Sequence, residues 1–120
     1  MLFFEKNFMK TALLSFTFIL AVSFSALSQK IFTVDSRYDA DVKVFVTDSR
    51  YDADLLVFKV DSRYDATGNK GLWHFVSSRY DADKKIFFVT SRYDADVLIF
   101  FVNSRYDAEW RNKSKMHHFF

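Results

Sequence analysis

The chain has no cysteine, so neither disulfides nor thiolate metal sites are open to it. It has no proline and only two glycines, Gly68 and Gly71. Its turns must therefore come from ordinary residues and from Asp, Ser and Asn side chains. It has no marked excess of one charge: 17 Lys and Arg stand against 15 Asp and Glu, a net +2. So even a balance sets up no long-range field for drawing in DNA or RNA. What the chain has in quantity is apolar and aromatic. Half of its 120 residues are hydrophobic and a fifth aromatic, with sixteen Phe. That composition excludes disorder and gives one domain a core.

The first residues read as a leader. Lys6 and Lys10 precede an uncharged apolar stretch from Thr11 to Leu27, and Ala26-x-Ser28 offers small residues before a cut. This is the pattern of a secretory signal peptide over 1–28, expected to form a helix and to be cleaved near Ser28/Gln29. The alternative is an uncleaved anchor, for which the apolar stretch is short. Residues 29–111 then form the domain, and 112–120 a polar C-terminal tail expected to fray.

One pentapeptide fills that domain. Ser-Arg-Tyr-Asp-Ala occurs six times: Ser36-Arg37-Tyr38-Asp39, Ser49-Arg50-Tyr51-Asp52, Ser62-Arg63-Tyr64-Asp65, Ser78-Arg79-Tyr80-Asp81, Ser91-Arg92-Tyr93-Asp94 and Ser104-Arg105-Tyr106-Asp107, each followed by Ala. The steps are 13, 13, 16, 13 and 13 residues, and all six tyrosines of the chain lie in the motif. A fixed period of this kind governs architecture. Before each copy runs a β-branched and aromatic stretch, such as Leu55 to Val60 or Val97 to Val102. These read as strands covered on both faces, and Phe58 and Phe100 are expected to be core. Ser-x-x-Asp resembles a capping box, so each Ser is expected to open one turn of helix. Tyr is expected to cover a strand edge with its ring. The longest step holds Thr67-Gly68-Asn69-Lys70-Gly71, the one true loop. Trp110 is expected to close the core as Trp73 does at the centre.

Six S-R-Y-D-A units with a Gly-containing break before a Trp resemble a small bacterial tandem-repeat family of unknown function, known for a seven-crossing torus knot, the septoil knot. The resemblance covers Lys30 to Arg111. It implies a deeply knotted all-β globule with helical turns at its corners, and no catalytic residues to carry over.

Each candidate site in the sequence also has a structural reading. The pairs Asp39/Asp41, Asp52/Asp54, Asp81/Asp83 and Asp94/Asp96 could offer oxygens to Ca²⁺, but calcium loops need more ligands and a sharp-turn Gly. The first Asp as a cap, neutralised by the Arg two residues earlier, fits better. The Arg-Tyr pairs could form a binding surface. The expectation here is instead a ring of Arg–Asp pairs tying adjacent turns together. His74 stands where other copies have Phe, and His117-His118 lie near Lys113 and Lys115 in the tail. None has a partner in sequence that would make a catalytic or metal centre.

The reading is thus an all-β domain of six to seven short strands linked by single helical turns, preceded by a signal-peptide helix. It is expected to be exported to the periplasm or exterior, monomeric and not an enzyme, without cofactor, metal or nucleic acid, touching membrane only through its export signal. Its role would be structural or binding in the envelope; the alternative is a glycan- or protein-binding module using the repeated Arg/Tyr surface.

Overall fold

A computed structural model describes residues 28–120. The expected leader, apart from Ser28, lies outside the described residues. Seven strands follow in order: β1 Lys30–Thr33, β2 Val42–Val46, β3 Leu55–Lys59, β4 Leu72–Phe75, β5 Lys84–Phe88, β6 Val97–Phe101 and the short β7 Glu109–Trp110. Each apolar stretch before a motif is a strand. The first six pair in parallel, in the order β4-β1-β5-β2-β6-β3, and β3 pairs with β4 to close a six-stranded barrel. β7 adds antiparallel to β3.

The register repeats round the ring. Ile31, five residues before its Ser, faces Lys84, seven before its own; Val42 and Ile86 are offset in the same way. All six pairings of the closed ring carry this two-residue offset, which makes a shear of twelve. Two residues are roughly 6.6 Å along a strand for each sideways step of about 4.8 Å, so the strands tilt by about 54°. The usual range is about 35–45°. Steep tilt carries each strand sideways as it climbs. Residues 34–41 can therefore cross from β1 to β2, where parallel crossovers ordinarily take about a dozen residues or more.

Consecutive strands sit two places apart in the ring, except β3 and β4, which are neighbours joined by the Gly-containing loop. The turn at 37–39 crosses over β5, that at 92–94 over β2 and that at 105–107 over β3. The chain thus travels nearly twice round the barrel in one direction. Gly68 and Gly71 both have positive φ, 70° and 91°. A Cβ on Gly71 would run into the Leu56 carbonyl oxygen, so the loop can close against β3 only with glycine there.

The core lies inside the barrel. Residues five before each Ser form its middle layer: Ile31, Val44, Val57, Trp73, Ile86 and Ile99, all buried. Val42, Leu55 and Val97, seven before, belong to the floor, and Phe75, Phe88 and Phe101, three before, pack above. Phe58 and Phe100 fall on the other parity and are only half-buried, which corrects the expectation that they are core. They face outward, where the crossovers cover them; Phe58 packs beside Val60, Ala66 and Leu72. Trp110 does close the core, at 7% exposure.

The tail does not fray. Asn112 caps a 3₁₀ turn over Lys113–Phe119. Phe119 is buried against Trp73 at 5.2 Å and Trp110 at 5.9 Å between ring centroids. Gln29 Nε2 donates to the Phe119 carbonyl oxygen at 3.1 Å. This C-terminal segment is the plug of the barrel floor.

Candidate functional site

The six motif copies are built alike. In each, the Ser hydroxyl accepts from the Tyr amide two residues on, at 3.2–3.3 Å. The Asp amide donates to the Ser carbonyl oxygen. Five copies close a 3₁₀ turn over Arg-Tyr-Asp, entered from an extended Ser. The second copy, at Ser49, keeps the cap but is a plain turn. The carboxylate of the first Asp does not reach back to the Ser amide in any copy, so the reciprocal half of the capping box is absent among the described residues.

The second Asp does the fastening. Asp41 donates its amide to the Lys85 carbonyl oxygen at 2.8 Å and accepts the Lys85 amide on Oδ2 at 2.9 Å. Asp54 does the same with Leu98, Asp83 with Lys30 and Asp96 with Lys43. Each carboxylate stands in for a backbone carbonyl at the foot of a strand. Asp54 also holds the C-terminal segment, through Asn112 Nδ2 at 3.2 Å. The third and sixth copies have Thr67 and Glu109 at this place. Those are the copies that lead into the neighbouring β4 and the antiparallel β7.

Arg and Tyr take no such part. Tyr38, Tyr51, Tyr64, Tyr80, Tyr93 and Tyr106 are 77–92% exposed, which corrects the expectation that they cover strand edges. Arg37, Arg63, Arg79, Arg92 and Arg105 are exposed and Arg50 half-buried. One Arg–Asp pair forms among the described residues, Arg92 to Asp52 at 3.9 Å, so there is no ring of alternating charge. The cause is the turn itself. With three residues per 3₁₀ turn, Arg, Tyr and Asp splay to three sides. The Ala that follows is extended at most copies, so Arg never shares a helical face with the second Asp.

Three shallow clefts among the described residues lie between turns; one is lined by Thr67, Lys70, Leu72, Arg105, Tyr106 and Ala108, and the other two share a construction. Of these two, one is lined by Phe45, Thr47, Asp48, Ser49, Asp52 and Arg92. The other is lined by Phe58, Lys59, Val60, Asp61, Asp65 and Arg105. In both, the Arg comes from the turn three copies later. At the upper mouth of the barrel, the Lys59 ammonium lies over the rings of Phe101, at 4.6 Å, and Phe75, at 5.5 Å.

The remaining candidates are structural or peripheral. His74 Nδ1 is 3.1 Å from the Val60 carbonyl oxygen. His117 and His118 stack at 4.1 Å. Burial, helped by the neighbouring His117, lowers the His118 pKa below its ordinary value. No cluster of three or more His, Cys, Asp or Glu is placed to hold a metal among the described residues, and no helix among them is long and apolar enough to cross a membrane.

The comparisons agree with this geometry. A family model described as the 7(1) septoil knot domain matches residues 28–111, and the chain belongs to that family. No curated protein and no solved structure matches it significantly. The near-double circuit of the barrel accords with the course of such a torus knot.

Proposed function

We propose that this septoil knot domain is an exported, non-catalytic binding module whose contact surface is the repeated Arg-Tyr turn. The observation that carries the reading is the exposure of all six tyrosines beside exposed or half-exposed arginines. Ser caps every turn, and in four copies the second Asp ties the start of the next strand to its neighbour; neither task uses the Arg or Tyr side chain. A large aromatic held in water at every turn adds nothing to the core. Tyr and Arg are the residue types that dominate binding hot spots. Repetition round the barrel suits a partner that is itself repetitive, because linked weak contacts gain by avidity. Export is supported by the charged start, the apolar stretch and Ala26-x-Ser28.

The test is retention on envelope material from the producing cell. The chain is compared with a variant carrying Ser at Tyr38, Tyr64, Tyr80, Tyr93 and Tyr106. The expected result is lost retention at an unchanged melting temperature. Equal retention of both proteins would overturn the reading. Mass spectrometry of the cell's own product checks export: it should begin near Gln29, and an intact Met1 would contradict cleavage.

A further inference from the structure

We infer that the barrel wall carries three related saccharide subsites, each taking one sugar unit of a neutral polysaccharide. This rests on the binding-module reading and names its ligand class. The clefts at the second and third turns are the same construction made from different residues. Each has a Phe four before the Ser, an Asp directly before it, the motif Asp, and an Arg from the turn three copies on: Phe45, Asp48, Asp52 and Arg92 in one, Phe58, Asp61, Asp65 and Arg105 in the other. The first copy supplies the same set as Phe32, Asp35, Asp39 and Arg79. β1, β2 and β3 alternate with β5, β6 and β4 round the ring, so the three sets are spaced as a pseudo-threefold. The other three copies have Ser77, Thr90 and Asn103 where these have Asp, so the second carboxylate is confined to this half of the repeats.

The groups in such a cleft match a sugar ring. Carboxylates accept from hydroxyls and a guanidinium donates to them. The Phe gives the floor an apolar patch. Tyr93 and Tyr106, next to the cleft arginines and 91% exposed, offer flat faces for the C–H side of a pyranose. The clefts are about 220 Å³ each. That is below the roughly 300–1,000 Å³ of sites for drug-sized ligands, which suits one ring at a time. Acids offset the arginines, so nothing favours a polyanion. The Arg92–Asp52 contact is long and its side chains are 43% and 58% exposed, so a ligand can open it at little cost.

The experiment measures binding of the purified full chain to cellulose, chitin and mannan, with heparin and polylysine as charged controls. At least one neutral polymer should retain the protein. The triple variant Arg79→Ala, Arg92→Ala, Arg105→Ala should lose about 10²-fold or more in apparent affinity, and Arg92→Ala alone much less, as expected of linked sites. The control triple Arg37→Ala, Arg50→Ala, Arg63→Ala should retain binding, because its turns cover strands whose copies lack the second carboxylate. Melting temperatures of all variants are compared. Retention only by heparin or polylysine, or by no polymer, would overturn the saccharide assignment. Equal loss in both triples would replace three subsites by a diffuse Arg surface. In either case envelope retention that depends on the tyrosines would leave the binding-module reading standing.

Discussion

Within one motif the residues divide by what they touch. Ser caps the turn, the second Asp grips the foot of a distant strand in the four copies that have one, and Tyr, the first Asp and every Arg but the half-buried Arg50 face water. A carboxylate accepting a backbone amide contributes about 1.5–3 kcal/mol. Asp41→Ala, Asp83→Ala and Asp96→Ala should each lower the unfolding free energy by about that much. Asp39→Ala and Asp81→Ala, whose carboxylates accept no hydrogen bond among the described residues, should stay within about 0.5 kcal/mol. Urea unfolding decides it, and equal losses in the two sets would contradict the division. The Ser caps were legible, because a cap and its amide lie two residues apart. The grip of the second Asp was not. Asp41 reaches an amide 44 residues on, and Asp83 one 53 residues back. The only trace in sequence is that Thr67 and Glu109 replace it in the copies whose strands leave the regular pattern.

At the scale of elements, the strands could be read from their β-branched and aromatic stretches, and the loop from its two glycines. Strand direction could not. Apolar residues on both faces are what a parallel sheet shows, but crossovers this short argue against one until the steep tilt is known. The half-burial of Phe58 and Phe100 follows from the same geometry, since parity and not apolar density sets which residue points inward. The C-terminal turn was missed because a basic, polar stretch gives no sign that Phe119 will find the space beneath Trp73. Phe119→Ala should cost about 3–5 kcal/mol in urea unfolding. Acid should also loosen this element. The His118 pKa is lowered from 6.5, first by burial and then by His117, against the opposing pull of Asp96 and Asp54. The folded state therefore binds that proton less readily than the unfolded chain does. Stability from this source is whole above 6.5 and declines as the pH falls below it. With the base-catalysed intrinsic rate divided out, the protection factors of the Phe119 and Phe120 amides should fall from about pH 7.5 to about pH 5.5, and His118→Gln should flatten that response. No change with pH in the unaltered chain would contradict it.

The whole molecule is held by contacts between distant parts of the chain. In the closed ring only β3 and β4 are neighbours in both sequence and space; every other pairing joins residues 44 or 53 apart. Non-local pairing delays folding, because loops must close before contacts reward them. Refolding from urea, followed by Trp73 and Trp110 fluorescence, should take about a second or longer; completion within about a millisecond would contradict this topology as the folded state. The near-double circuit was implied by the family resemblance and not by periodicity, since a repeat of 13 residues fits many windings. The central claim is that the fold uses the Ser of every motif and the second Asp of the four copies that have one, and leaves Arg and Tyr for a partner. Its most direct test is urea unfolding of Arg37→Ala, Arg63→Ala, Arg79→Ala and Arg105→Ala combined in one chain, beside Ser91→Ala alone. The account predicts that the fourfold Arg variant keeps its unfolding free energy within about 1 kcal/mol, while the single Ser91→Ala loses about 0.5–2 kcal/mol. A loss of several kcal/mol in the Arg variant, with none at Ser91, would contradict it.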